Sequence, residues 1–364
     1  MENYVVSALK YRPTTWESVV GQKSITDTLQ NAIKNNHLAK AFLFCGPRGV
    51  GKTTTARILA KTINSDENTS SDEDFAFNIF ELDAASNNSV EDIRNLIDKV
   101  RIPPQVGKYK VHIIDEVHML SNAAFNAFLK TLEEPPEHAI FILATTEKHK
   151  ILPTILSRCQ IFDFNRIQIQ DIVEHLKHIA ANEGVEAEED ALHIVAQKAD
   201  GGLRDALSIF DQIVSFSGNK ITYQDVIDNL NILDYDYYFT VTDYILSNDI
   251  SNCLLTFNTI LNKGFDGHNF INGLAEHFRN LLVCLDPNTL QLLEVGEMIA
   301  GKYQEQVSKC DREFLIDGLT LTNECDVKYK QSKNQRLLVE LTLMQLASLT
   351  LRDKKKSLSE NSPS

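Results

Sequence analysis

Residues 46–53 read Gly46-Pro47-Arg48-Gly49-Val50-Gly51-Lys52-Thr53, a complete GxxxxGK[ST] phosphate-binding loop. The pattern works only between a buried strand and the start of a helix. Both flanks comply. The apolar run 41–45 reads as a strand, and Ala56, Leu59, Ala60 and Ile63 carry helical spacing after the loop. Glycines here let backbone N–H groups wrap phosphates. The helix N-terminus adds a field that favours anions. Lys52 supplies a point charge for β and γ phosphates, and the Thr53 hydroxyl can ligate Mg²⁺. The nucleotide-binding set therefore runs from Gly46 through Thr53 to Thr54 in the first helical turn.

Further along, Val111-His112-Ile113-Ile114 reads as another strand and ends in Asp115-Glu116. Open parallel sheets bind ligands beyond the carboxyl ends of their strands. That puts Asp115 where it can hold Mg²⁺ through water, and Glu116 where it can act as general base on the attacking water. Loop and acids together imply a nucleoside triphosphatase.

The rest of the chain divides by pattern. Up to about residue 165, strands at 42–45, 78–82, 110–115 and 140–144 alternate with helices near 24–35, 53–63, 89–100 and 121–134. Such alternation predicts an α/β domain, a parallel sheet covered on both faces. The last of these helices has Ser121 as N-cap, an apolar face of Phe125, Phe128, Leu129 and Leu132, and a stop at Pro135-Pro136. Residues 166–232 read as a small helical unit, with helices ending near Gly184, at 188–199 and at 203–216. Residues 233–352 read as an all-α bundle, and 353–364 as a polar, disordered tail. The acidic segment 65–74 reads as a surface loop; the acids at 186–190 suit a helix start.

Composition excludes several classes. The net charge of −14 argues against coating DNA by bulk electrostatics. No apolar run reaches the roughly 18 residues of a membrane span. The first residues lack the basic start and apolar core of a signal peptide. Six scattered cysteines with no CxxC pair fit a reducing cytoplasm better than a disulfide framework or a zinc site.

Charge developing on a transferred phosphoryl group calls for an arginine, in cis or from a partner. Arg158 in Ser157-Arg158-Cys159 and Arg204 in Gly201-Gly202-Leu203-Arg204-Asp205 are the two positions that qualify. As a lone arginine, each is more often a partner in a surface ion pair.

Taken in order, the segments 46–53, Asp115-Glu116-Val117-His118, Ala144-Thr145-Thr146 and Ser157-Arg158-Cys159 resemble an AAA+ clamp-loader ATPase. More narrowly, the chain resembles the gamma/tau family of bacterial DNA polymerase III. Lys10-Tyr11-Arg12-Pro13, Val19-Val20-Gly21-Gln22, Glu81-Leu82-Asp83-Ala84-Ala85-Ser86 and Lys130-Thr131-Leu132-Glu133-Glu134 add to that likeness, which covers most of residues 4–216. The resemblance implies ATP as ligand with Tyr11, Arg12, Pro13, Val19 and Val20 around the adenine. It implies that Thr146 senses the γ-phosphate and Arg204 acts as a second sensor in cis. Arg158 becomes the arginine finger for a neighbouring subunit. It further implies a lid at 166–232, a C-terminal collar at 233–352, and assembly with delta and delta-prime subunits and further copies of the chain. The partners acted on would be a sliding clamp and primed DNA, recognised by backbone and shape. Lys99, Arg101 and Lys108 are candidate DNA contacts, for each of which surface solvation is the commoner reading.

The sequence departs from the family at one interval. Residues 64–77 carry no cysteine where relatives commonly carry a four-cysteine zinc module, so no zinc is expected. The end at residue 364 suggests a gamma-like short form. A branch-migration helicase is the competing AAA+ reading. It predicts a winged helix where 233–352 instead read as a plain bundle.

Overall fold

The computed structural model describes residues 5–65, 78–105 and 107–360, for 350–360 the backbone alone. Two compact units emerge: Met1–Val185 with Val195–Ser215, and Glu186–Ile194 with Phe216–Ser364. The acidic segment and most of the interval read as lacking zinc fall on 66–77, outside the described residues.

The first unit is built on a five-stranded parallel sheet of order β2-β3-β4-β1-β5. Its strands are β1 Ala41–Cys45, β2 Ile79–Asp83, β3 Lys110–Asp115, β4 Ala139–Thr145 and β5 Gln160–Asp163. β1 and β4 are buried along their whole length, as continuous apolar runs between two helical layers must be. Alternation splits β1 between the layers. Phe42 and Phe44 pack with Leu29, Leu59, Val111 and Ile113 on one face. Leu43 packs with Ile114, Phe125, Phe128 and Phe141 on the other. The strand β5 was not read from sequence. Gln160-Ile161-Phe162-Asp163 offers two apolar residues, enough only for an edge strand paired with β1.

The helices of this unit begin with α1 Ser7–Lys10, α2 Lys23–Lys34 and α3 Lys52–Asn64. α4 Val90–Val100 starts on a capping box between Ser89 and Asp92. α5 Asn122–Glu133 is capped by Ser121, whose side chain accepts from the Ala124 N–H at 3.2 Å. A short α6 Pro153–Leu156 follows. α7 Ile169–Glu183 ends on Gly184 in the left-handed region, at φ 67°. α8 Glu189–Lys198, divided between the two units after Ile194, and α9 Leu203–Ser217 complete the small helical segment. Compactness groups α7 and most of α9 with the nucleotide domain, which differs from the boundary at 165/166. Contacts such as Ser7 N–H to Asp211 Oδ2 at 2.8 Å explain why.

The second unit contains a two-stranded parallel pair, β6 Glu186–Ala187 with β7 Lys220–Ile221, and then helices. They are α10 Tyr223–Leu230, α11 Tyr235–Leu246, α12 Ile250–Asn262, α13 Gly267–Cys284, α14 Glu297–Val307, α15 Arg312–Tyr329 and α16 Gln335–Glu360. Phe257, Phe270, Phe278, Leu315 and Leu343 form the centre of their core. α16 runs past residue 352, where the bundle was expected to end. Residues 335–360 contain no Gly or Pro to stop a helix. The final residues, 361–364, lie outside the described residues. No helix among the described residues is long and apolar enough to cross a membrane.

A polar network crosses this bundle. His277, 1% exposed, bonds Tyr303 Oη at 3.0 Å and Gln306 Oε1 at 2.8 Å. Gln306 donates onward to the Phe239 carbonyl at 2.8 Å. Burial pushes the His277 imidazole down to about 4, against the opposing pull of Gln306 and Asp243. The folded state thus keeps this ring neutral while the unfolded chain takes a proton below its ordinary value of 6.5. The stability that this ring contributes is full above pH 6.5 and is lost as pH drops toward 4. Urea midpoints of the bundle transition, measured across this window, should fall with acid, and His277→Gln should flatten the slope.

Candidate active site

The end of β1 delivers the loop. Gly46 donates its N–H to the Thr145 carbonyl at 3.2 Å, which fixes the loop to the end of β4. Gly46, Gly49 and Gly51 have φ of 145°, 77° and 100°. Gly51 is the N-cap of α3, so the loop feeds straight into a helix N-terminus. Lys52 is buried, and its Nζ donates to the carbonyls of Gly46 at 2.7 Å and Pro47 at 2.6 Å. Burial lowers the pKa of this ammonium, opposed by the nearby Glu116 and Asp115 carboxylates.

β3 delivers the acids to the same end of the sheet. Thr53 Oγ1 donates to Asp115 Oδ2 at 2.7 Å. The Glu116 N–H donates to Asp115 Oδ1 at 2.9 Å. Glu116 itself is left-handed at φ 48°, an uncommon conformation for a residue with a side chain. That turn swings its carboxylate to the end of β4. There Oε2 accepts from the Thr146 hydroxyl at 2.9 Å and the Thr146 N–H at 3.2 Å.

A cavity of ≈ 340 Å³ lies over the loop. Tyr11, Arg12, Pro13, Val19 and Val20 line it from the N-terminal segment, Arg48, Gly49, Val50, Gly51, Lys52, Thr53 and Thr54 from the loop and α3, and Asp115 and Glu116 from β3. Arg204 lines it from α9. Gly46, Pro47 and Thr146 border a second cavity instead. Arg158 lines neither: its guanidinium donates to the Thr154 carbonyl at 2.6 Å and pairs with Glu133. Lys99, Arg101 and Lys108 are exposed around the loop between α4 and β3, and Arg101 reaches Asp98 at 3.5 Å.

Sequence reading missed Ala8, Asp83, Ile167, Leu203 and Leu207, which also line the main cavity. Leu207 could have been found, since it lies one turn from Arg204 on the same helix. The N-terminal segment is strapped to the lid helices. Lys10 reaches Glu183 at 2.6 Å, Tyr11 bonds the same carboxylate, and Ser7 holds Asp211. Burial, then the Glu183 contact, pushes the Tyr11 phenol up to about 12.

The walls are cationic in an acidic protein. The Arg12 pKa is lowered by burial and then by repulsion from Arg57 and Arg204. Arg48 and Lys52 add to this group, a set suited to a polyanion such as a triphosphate. The paired oxygens of Thr53 and Asp115 are the hard donors that Mg²⁺ takes, so the residues fit both ligand and ion.

A family described as "DNA polymerase III, delta subunit" matches residues 21–168, and "DNA polymerase III clamp loader subunit, ATPase lid domain" matches 171–219. DNA polymerase III subunit gamma of Buchnera aphidicola is 33% identical over 364 residues, covering 95% of this chain and 99% of that protein. The chain belongs to the DNA polymerase III gamma/tau family. The tau subunit of Bacillus subtilis is 40% identical over 349 residues, 92% of this chain and 62% of that one. The tau subunit of Escherichia coli is 40% identical over 276 residues, 72% of this chain and 43% of that one. The gamma/tau chain thus spans less than two thirds of these tau relatives. A RuvB variant of Thermotoga maritima matches with TM-score 0.50 and 19% identity, covering 65% of this chain and 80% of that one. It shares the AAA+ fold, and that likeness carries nothing about the helicase reading.

The loop glycines make a graded prediction. A Cβ on Gly46 would sit 2.3 Å from the Phe164 carbonyl oxygen, whereas one on Gly51 meets nothing closer than 4.0 Å. Gly51→Ala should cost about 1–2 kcal/mol of backbone strain. Gly46→Ala should cost more and weaken nucleotide binding further. Thermal melts and fluorescent-nucleotide titrations of the two variants check the order.

Proposed function

We propose that this gamma/tau chain is an ATPase subunit of the DNA polymerase III clamp loader, using ATP binding and hydrolysis to open a sliding clamp and place it on primed DNA. The observation that carries the reading is the meeting of Lys52, Thr53, Asp115, Glu116 and Arg204 around one cationic cavity. ATP would lie with its adenine among Tyr11, Pro13, Val19 and Val20, with Arg12 alongside, and its phosphates on residues 46–54. Mg²⁺, held by Thr53 and Asp115, would neutralise phosphate charge.

Each residue then has a task. Lys52 binds the β and γ phosphates. Glu116 orients a water and takes its proton as the water oxygen attacks the γ-phosphorus and the bond to ADP breaks. Thr146 holds the Glu116 carboxylate and senses the γ-phosphate. Arg204 reaches the same phosphate from the lid. Arg158, turned away from its own cavity and paired with Glu133, is suited to reach ATP on a neighbouring subunit. An arginine supplied in trans makes hydrolysis conditional on assembly. The assembly would contain delta, delta-prime and further copies of the chain, joined through the collar at 233–352, in the cytoplasm. No zinc would be needed.

The test is steady-state ATP hydrolysis by the chain reconstituted with delta, delta-prime and the clamp, with and without primed DNA. Clamp plus primed DNA should stimulate hydrolysis strongly. Arg158→Ala should lower the rate on the order of 10³-fold while nucleotide still binds. A rate indifferent to clamp, DNA and Arg158 contradicts the reading.

A further inference from the structure

His118 has no place in the mechanism above, yet its side chain is 6% exposed and faces a carboxylate on each edge. It lies in the short 3-10 turn Val117–Met119 that directly follows Glu116. Its Nδ1 sits 3.3 Å from Glu116 Oε2 and 3.0 Å from Thr145 Oγ1. Its Nε2 sits 3.3 Å from Glu147 Oε1. Glu147 is in turn fixed. Its N–H donates to Thr145 Oγ1 at 3.0 Å, and Lys150 Nζ donates to its Oε1 at 2.8 Å. The Lys150 bond holds the Glu147 carboxyl below its ordinary range.

These contacts form one line from the reacting acid to the surface. On Glu116, Thr146 and His118 converge on Oε2, and among the described residues no partner is seen on Oε1. Oε1 is thus the oxygen free to take a proton from water. A carboxylate in a left-handed residue has no helix or strand to fix it, so its aim depends on such side-chain contacts.

We propose that His118 is a positioning residue for the Glu116 carboxylate, anchored by Glu147, so that the exposed turn 147–150 governs how well the chain hydrolyses ATP. The inference rests on the assignment of Glu116 as general base. A merely structural contact leaves kcat unchanged where positioning of the carboxylate lowers it.

ATP turnover by the full chain, assembled with delta, delta-prime and clamp on primed DNA, provides that separation. His118→Ala should lower kcat by about tenfold or more, while KM and the affinity for a non-hydrolysable ATP analogue stay within about twofold. His118→Asn, whose amide can reach where Nδ1 lies, should recover part of the loss. Glu147→Gln should lower kcat in the same direction, and the double variant should be no worse than His118→Ala alone. In a Glu116→Gln background neither change should lower kcat further. Additive losses, a rise in KM at constant kcat, or further loss in that background would overturn the proposal. A Glu116→Gln chain that turned over at the full rate would instead overturn the general-base assignment. Should His118→Ala lose its melting transition, the half-exposed Glu147→Gln carries the same test.

Discussion

The bond from Thr53 Oγ1 to Asp115 Oδ2 ties the first turn of α3 to the end of β3, and the nucleotide site is arranged around it. It is possible because every strand of the main sheet runs the same way, so the loop after β1 and the acids after β3 emerge at one edge. β4 lies between those two strands. Its last residue, Thr145, accepts from Gly46, and the next, Thr146, donates to Glu116. A local pattern of eight residues therefore acts only through three strands that are distant in sequence.

The lid helix α9 comes to this edge backbone to backbone. A Cβ on Gly49 would lie 3.3 Å from Gly202 Cα and 3.4 Å from Arg204 Cβ, so both glycines permit the approach that brings Arg204 to the cavity. The N-terminal strap through Lys10, Tyr11 and Ser7 closes the other side. Charge follows the same local logic. A chain of net charge −14 gathers Arg12, Arg48, Lys52 and Arg204 at one cavity, because the field at a site depends on its nearest groups and not on the total.

Much of this was legible in the residues. The loop, α3, β3 and α5 each carry local signals: glycines at fixed offsets, apolar spacing, a Ser121 cap, a Pro135-Pro136 stop. β5 was illegible because an edge strand of four residues with two apolar side chains looks like a loop until β1 pairs with it. The bond from Thr146 to Glu116 was equally hidden. It depends on a left-handed φ and on the register of β3 against β4, neither of which a one-dimensional pattern records. The adenine-side residues Tyr11 to Val20 came from family resemblance alone, since nothing in their spacing signals a base pocket. The split of the chain at 185 and 215 was hidden too, because it is set by contacts of α9 with the loop and strap.

On the proposed function, hydrolysis needs a complete cavity on one chain and Arg158 from the next. Mixing two inactive chains tests it most directly, one carrying Lys52→Ala and the other Arg158→Ala, assembled together with delta, delta-prime, clamp and primed DNA. Recovered ATP turnover is expected, because the mixture creates interfaces where an intact site meets an intact arginine. Turnover no higher than that of either chain assembled alone would contradict it.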